Sequence, residues 1–316
     1  MEHELLGLED TTEIVSFKKL YRIIWRMKWL IIAITLVFTL GASYYAIKQP
    51  NIYRANGIYI PAKNQTGGGL SQLAGQFGGL ASMAGISLGG DKGDDNEIAI
   101  ELLKSRSFLQ SFIEKRNILP QIMAAEKWNE STNTLVYNPE IYDIKNNKWV
   151  VNESSDKKTK PTAWDAYYKL LGMINVQYMM KKGMVKISVS YLSPEVSVQW
   201  LNWLVEDLNQ YWRQKDKQQA VESVEYLQKQ IRQTNISEMH SIFYNIIAEQ
   251  TQQILLTEVR KEYLFKTLAP IVTPEEKFAP SRALLCIVGM FIGSLIALLI
   301  SFVYVSFCPE RKAKNI

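Results

Sequence analysis

The sequence specifies an α+β domain with a long projecting helical hairpin, carried between two transmembrane helices. Three observations lead there. Two uncharged runs, 29–47 and 283–307, bracket a polar middle. Strand-like and helix-like patterns alternate within that middle. From residue 195 to Arg232, no proline or glycine interrupts the chain.

The runs hold 19 and 25 residues without a charge, and a bilayer core takes roughly 20 apolar residues as helix. A cleaved secretory signal fits the first run poorly. It is too long, and it closes on Tyr44 and Tyr45, side chains suited to an interface. Lys18, Lys19, Arg22, Arg26 and Lys28 precede it, and Arg311, Lys312 and Lys314 follow the second run. Basic flanks stay cytoplasmic, so both ends are expected inside and the middle outside. The resulting division is a cytoplasmic arm (1–28), a first transmembrane helix (29–47), an outer domain (48–282), a second transmembrane helix (283–307) and a cytoplasmic tail (308–316). Charges in 48–282 nearly cancel, 28 Lys/Arg against 25 Asp/Glu, so the net +5 is not concentrated in the outer domain, and the basic residues that matter for orientation are those beside the two runs. Those flanking cations orient the chain, and a balance so near zero in the large middle gives no support to nucleic-acid binding. The two cysteines, Cys286 and Cys308, lie in or beside the second run. The middle needs no disulfide at its size, which is compatible with a bacterial periplasm.

Residues 52–61 alternate and read as a strand. The segment 67–93 then holds ten of the chain's 17 glycines. It lacks GxxxxGK[ST] and a strand-to-helix setting, which argues against a phosphate cradle. Either it is a flexible loop, or Leu70, Leu73, Phe77 and Leu80 line a tightly packed helix or an apolar lid at a subunit interface. Asp94, Asp95 and Asn96 open a helix whose stripe is Ile98, Leu102, Leu109, Phe112 and Ile113. From Pro120 to Lys160 the pattern weakens into a polar excursion with one short strand at 148–151. Lys157, Lys158 and Lys160 there read as a solvated loop, with contact to an acidic glycan as the alternative. A helix at 162–171 and a strand at 184–192 follow.

Ser193, Pro194 and Glu195 form a helix start: cap, proline at the first position, acid at the positive end. The helix runs for roughly 58 Å at 1.5 Å per residue. Its base is rich in Trp, Leu and Val; its upper part keeps only a thin stripe of Val221, Val224, Leu227 and Ile231. A turn at Thr234 and Asn235 leads to a second helix ending near Glu262. The hairpin is therefore 194–262, rising from a base of 48–193 and 263–269. Stripes this thin want another copy of the hairpin as partner. Pro270, Pro274 and Pro280 then forbid regular helix and make 269–281 a stiff strut into the second run.

No catalytic set is visible. His240 is the middle's single histidine, a two-His metal site is impossible there, and no cysteine ligand exists. GxSxG is absent. Adjacent acids such as Glu206 and Asp207 do not face each other on a helix. No cofactor or metal is expected. Gly289 and Gly293 form a small-xxx-small pattern that permits close helix contact in lipid.

Four blocks in order carry a family resemblance: "YRIIWRMKWLIIAITLVF", "AIELLKSRSFLQSFI", "VKISVSYLSPEVSVQWLNWLVEDLNQYWR" and "APIVTPEEKFAPSRALL". With the two flanking spans, the chain resembles the Wzz-type chain-length determinants, the polysaccharide co-polymerases of bacterial envelopes. The resemblance covers nearly all of the chain, least at 120–160. It implies a ring-shaped homo-oligomer in the inner membrane with a periplasmic body. That assembly sets the modal length of a glycan, commonly lipopolysaccharide O-antigen, made by a separate Wzy-type polymerase. It implies no enzyme activity. Polymerase coupling is expected at Pro270, Pro274, Pro280, Arg282, Gly289 and Gly293. An oligomer interface or lumen is expected at Leu73, Phe77, Leu80, Val224, Leu227 and Ile231. The partners implied are further copies of the chain, the polymerase and nascent lipid-linked polysaccharide. The alternative is a co-polymerase for capsule or exopolysaccharide export working with a separate tyrosine kinase; the short tail departs from members fused to that kinase.

Overall fold

The computed structural model of the chain describes residues 25, 27–62, 94–150, 160–234 and 236–307. The glycine-rich segment with Leu73, Phe77 and Leu80, the arm before Trp25, Lys157 and Lys158, and the tail after Phe307 lie outside the described residues. The chain forms two units, Met1–Pro50 with Pro280–Ile316, and Asn51–Ala279.

Helix α1 is Lys28–Lys48. Its hydroxyls are satisfied along the helix: Thr35, Thr39 and Ser43 each donate to the carbonyl four residues back, at 2.8, 2.8 and 2.9 Å. Lys28 and Lys48 at its ends sit 4.8 and 4.6 Å from the ring centroids of Trp25 and Tyr44. This is the pairing of cation and amphipathic ring that a membrane interface favours.

The second unit begins with β1 (Tyr53–Pro61). Its alternation sends Tyr53, Ala55, Gly57 and Tyr59 into the core and leaves Arg54, Asn56 and Ile58 outside. Where the sequence pattern reads one helix from Asp94, there are two, α2 (Asp94–Lys104) and α3 (Arg106–Arg116). Ser105 divides them, leaving the helix to cap α3 by accepting a bond from the Phe108 N–H at 3.3 Å. The expected polar excursion is more ordered than its composition implies. It holds α4 (Leu119–Ala124), a hairpin of β2 (Ala125–Asn129) and β3 (Thr134–Tyr137), and a second hairpin of β4 (Tyr142–Asp143) and β5 (Lys148–Trp149). Asn133 and Asn147, at φ 49° and 51°, make the left-handed turn positions. Aromatic pairs replace an aliphatic core: Tyr142 lies 5.9 Å from Tyr137 and 5.0 Å from Trp149, and Tyr53 lies 5.4 Å from Trp128.

Helix α5 (Ala163–Met173) starts in a capping box of Thr162 and Asp165. It passes directly into β6 (Ile174–Met179), which turns through Gly183 at φ 60° into β7 (Met184–Tyr191). Ser193 then caps the 40-residue α6 (Pro194–Gln233), accepting from the Val196 N–H at 3.4 Å. Helix α7 (Ser237–Val259) returns, ending before Glu262 because the chain must extend to bury Tyr263 and Leu264 and enter β8 (Phe265–Thr267). The main sheet is antiparallel in the order β6-β7-β1-β8. Its inner face packs on the first turns of α6, where Trp200, Leu201, Leu204 and Leu208 are fully buried. Tyr191 stacks 4.4 Å from Trp200, and both bond Gln121 of α4 through its backbone carbonyl and side chain.

Two buried polar residues of α6 hold the base together. Asp207 takes a two-pronged contact from Arg116 at 2.6 and 3.0 Å and a third bond from Lys115 at 2.8 Å, tying α3 to α6. Glu206 completes the cluster by accepting from Arg116 at 2.8 Å; these bonds hold the Arg116 guanidinium above its ordinary pKa. Asn209 accepts from the Leu264 and Phe265 N–H groups at 2.8 and 2.9 Å and donates to the Phe265 carbonyl at 3.1 Å. Its amide thus does for β8 what another strand would.

The chain closes with α8 (Arg282–Phe307), packed against α1. An α+β body with a long helical hairpin and two helices of membrane-spanning length and composition is therefore the observed class.

Asn209→Ala strands two buried N–H groups, each costing about 1–3 kcal/mol. Thermal melting followed by circular dichroism should fall by roughly 10 °C. Asn209→Asp keeps both acceptor contacts and should fall less.

Candidate functional site

The stretch joining β8 to α8 is the part of the body with the most unusual chemistry. Three prolines within 270–280 remove backbone donors, and the segment forms no helix. Donors at its two ends bond back to the sheet. The Leu268 N–H bonds the Ile58 carbonyl at 3.0 Å, and the Phe278 and Ala279 N–H groups bond the Ile52 carbonyl at 2.8 and 3.2 Å. The Ile52 N–H answers to the Ala279 carbonyl at 2.8 Å. The strap is thus pinned at both ends to β1 and the residue before it. Between the pins, Ile271 packs on the core, Pro270 is exposed and Pro274 half-buried.

Beneath the strap's end lies Arg54. Its Nε donates to Ser190 Oγ on β7 at 2.8 Å, and the Phe278 ring covers its guanidinium at 3.3 Å from the centroid. Partial burial lowers its pKa from the ordinary arginine value. Sequence reasoning missed this residue; the signal was an arginine at an outward position of a strand otherwise free of charge.

The helices α1 and α8 meet through glycine. A methyl group added at Gly293 would lie 2.7 Å from Phe38 Cβ and 3.2 Å from Thr35 Cα. One at Gly289 would strike Ala42. One turn before Gly289, Cys286 Sγ lies 3.2 Å from Ser43 Oγ. Arg282 is half-buried at the start of α8, and Pro280 half-buried just before it.

On the hairpin, Val224, Leu227 and Ile231 are half-buried on α6, which packs along α7. The exposed large side chains there are different ones, among them Tyr226, Tyr244, Leu255 and Val259. His240 lies at the hairpin tip, its Nε2 2.7 Å from the Thr234 carbonyl. Among the described residues no group of three His, Cys, Asp or Glu side chains is placed to hold a metal ion.

Comparison with known proteins gives three results. A family model described as "Wzz: Chain length determinant protein" matches residues 13–116, so the resemblance carried by the sequence is met across that part of the chain. No curated protein matches. Among solved structures, a full-length bacterial polysaccharide co-polymerase aligns over 93% of this chain and 98% of its own at 12% identity and TM-score 0.36. A fragment of WzzB, a polysaccharide co-polymerase from Salmonella Typhimurium, aligns over 72% of this chain and all of its own at 10% identity and TM-score 0.26.

The packing of α1 on α8 makes a direct prediction. In a Cys308→Ser background, Ser43→Cys should form a disulfide with Cys286 on mild oxidation, read as loss of both free thiols to alkylation. Adding Gly293→Leu should push the helices apart and cut the yield several-fold.

Proposed function

We propose that this chain is a non-enzymatic regulator of polysaccharide chain length in the bacterial inner membrane, acting on the O-antigen of lipopolysaccharide assembled by a separate membrane polymerase. The observation that carries this reading is the chain-length-determinant match over residues 13–116. It runs through the first span, β1, α2 and α3. Charge placement supports cytoplasmic ends and a periplasmic body, since the basic residues crowd the outer flanks of both apolar helices.

In this reading the protein works as an assembly. The hairpin exposes apolar and aromatic side chains along two long helices, a surface that further copies of the same hairpin would cover. The polymerase is met through the strap and the second span, with Pro270, Pro274, Pro280 and Arg282 on the approach and Gly289 and Gly293 on the helix. Gly289 and Gly293 act there indirectly, through the α1–α8 contact that they permit. No bond-making step is assigned to any residue. Length is biased by holding the polymerase and its lipid-linked product together for a characteristic time.

Deleting the gene should leave polymer present but turn a clustered ladder of glycan lengths on a gel into a smoothly decaying one. Loss of all polymer would sink the reading. A shift in capsule or exopolysaccharide with an unchanged O-antigen ladder would move the substrate to those polymers. Pro270→Ala with Pro274→Ala should shift the modal length while membrane levels stay within about twofold, because the strap loses stiffness and the core does not.

A further inference from the structure

The outward face of the main sheet has no carboxylate. The strands β1, β6, β7 and β8 contain no Asp or Glu at all, while Arg54, Lys186 and Lys266 are their cations. Arg54 and Lys186 lie on adjacent strands in one register, Arg54 facing Ser190 and Ile58 facing Lys186, with Asn56 and Ser188 paired between them. The strap passes along this face and borders an open cleft of about 460 Å³. Arg54, Asn56 and Lys186 form its floor, and Glu276, Lys277 and Phe278 of the strap form its wall. Three cations face one carboxylate. Among the described residues no ion pair engages Arg54, Lys186 or Lys277.

This arrangement differs from a solvated basic surface in one respect: its arginine is preset. Ser190 fixes the Nε edge of Arg54 and Phe278 covers one face, so the terminal nitrogens keep one direction. A guanidinium held this way meets a phosphate with little ordering cost, and two lysines nearby match the second charge. Asn56, held by the Ser188 hydroxyl at 3.0 Å, adds a neutral polar group to the floor. The cleft is open and has ample room for one or two phosphoryl groups.

We propose that this cleft binds a phosphate-bearing group, in the class of phospholipid headgroups and of the diphosphates that link glycans to lipid carriers. Chain connectivity fits a ligand presented from a membrane. Arg54 stands six residues after the end of α1, and Phe278 four before the start of α8. Such a site needs no particular glycan and no length control, so it stands or falls apart from that role.

The test uses the full-length protein in phosphatidylcholine nanodiscs, titrated with inorganic pyrophosphate in phosphate-free buffer by calorimetry. Saturable binding that weakens with salt is expected. Affinity should fall at least tenfold in Arg54→Gln and in Lys277→Gln, with unchanged melting curves. Absence of saturable binding, equal affinity in both folded variants, or saturation by glucuronate in place of pyrophosphate would overturn the proposal. If Arg54→Gln fails to fold, Lys277→Gln on the exposed strap and Lys186→Gln decide the matter. Nanodiscs containing phosphatidylglycerol or a polyprenyl diphosphate then identify the source. Competition by the first points to a lipid headgroup and by the second to a glycan carrier, while competition by neither leaves a soluble phosphate as the ligand.

Discussion

The fold depends on closing the chain at β1. That strand takes β7 on one edge and β8 on the other, and the residue before it bonds Phe278 and Ala279 at the far end of the body. A domain inserted between two helices that pack on each other must bring its ends together, and here backbone hydrogen bonds do so. All of these contacts join residues far apart in sequence. Each therefore closes a long loop, an entropic cost that the packing of the intervening chain must offset. Asn209 makes the last step possible. β8 is only three residues long, too short to hold an edge by itself. The buried amide adds three directed bonds from a helix already fixed in the core.

The same helix also concentrates the buried charge of the base. Asp207 sits one residue from Glu206, and read in isolation the pair suggests nothing, since neighbours on a helix diverge. Arg116 reaches both carboxylates because it approaches from a second helix, and its Nη2 donates to Glu206 as well as to Asp207. Removing one partner of such a cluster costs more than the cluster is worth, since a buried charge is left behind. The contrast with Arg54 is instructive. Arg116 spends its donors on carboxylates and becomes structural; Arg54 has a hydroxyl and a ring, which orient it without neutralising it.

Much of this was legible beforehand where one signal dominated. Ser193-Pro194 begins α6, alternation marks β1 and β7, and both apolar runs are helices. What escaped reading did so for physical reasons. Ser105 interrupts a continuous apolar stripe that still reads as one helix, because its capping role depends on backbone geometry and leaves the spacing intact. Strand β6 follows α5 with only Gly172 to mark the junction, and its partner β7 supplies the reason for it to extend. The hairpins at 125–149 are held by aromatic pairs and left-handed asparagines, a code too sparse for periodicity to register. Arg54 and Asn209 matter through partners about 136 and 55 residues away, which no local pattern encodes.

The hairpin is the least cored part of the body. Up to Trp212 the residues of α6 are buried at every turn; beyond it only Ala220 is. The returning α7 buries a single residue, Thr257. Across the seam the described ion pair is Lys217 with Glu258, an exposed contact that solvent screens and that stabilises little. Two helices meeting on so narrow a strip gain little from each other, and long exposed helices gain little from propensity alone. Yet the outer faces carry Tyr226, Tyr244, Leu255 and Val259, apolar area that a lone hairpin leaves in water. The stabilisation missing from the monomer and the apolar surface in excess on it have the same remedy. In the assembly proposed above, lateral packing of like hairpins would bury the second and thereby provide the first, and rigidity of the upper body would then come from that assembly.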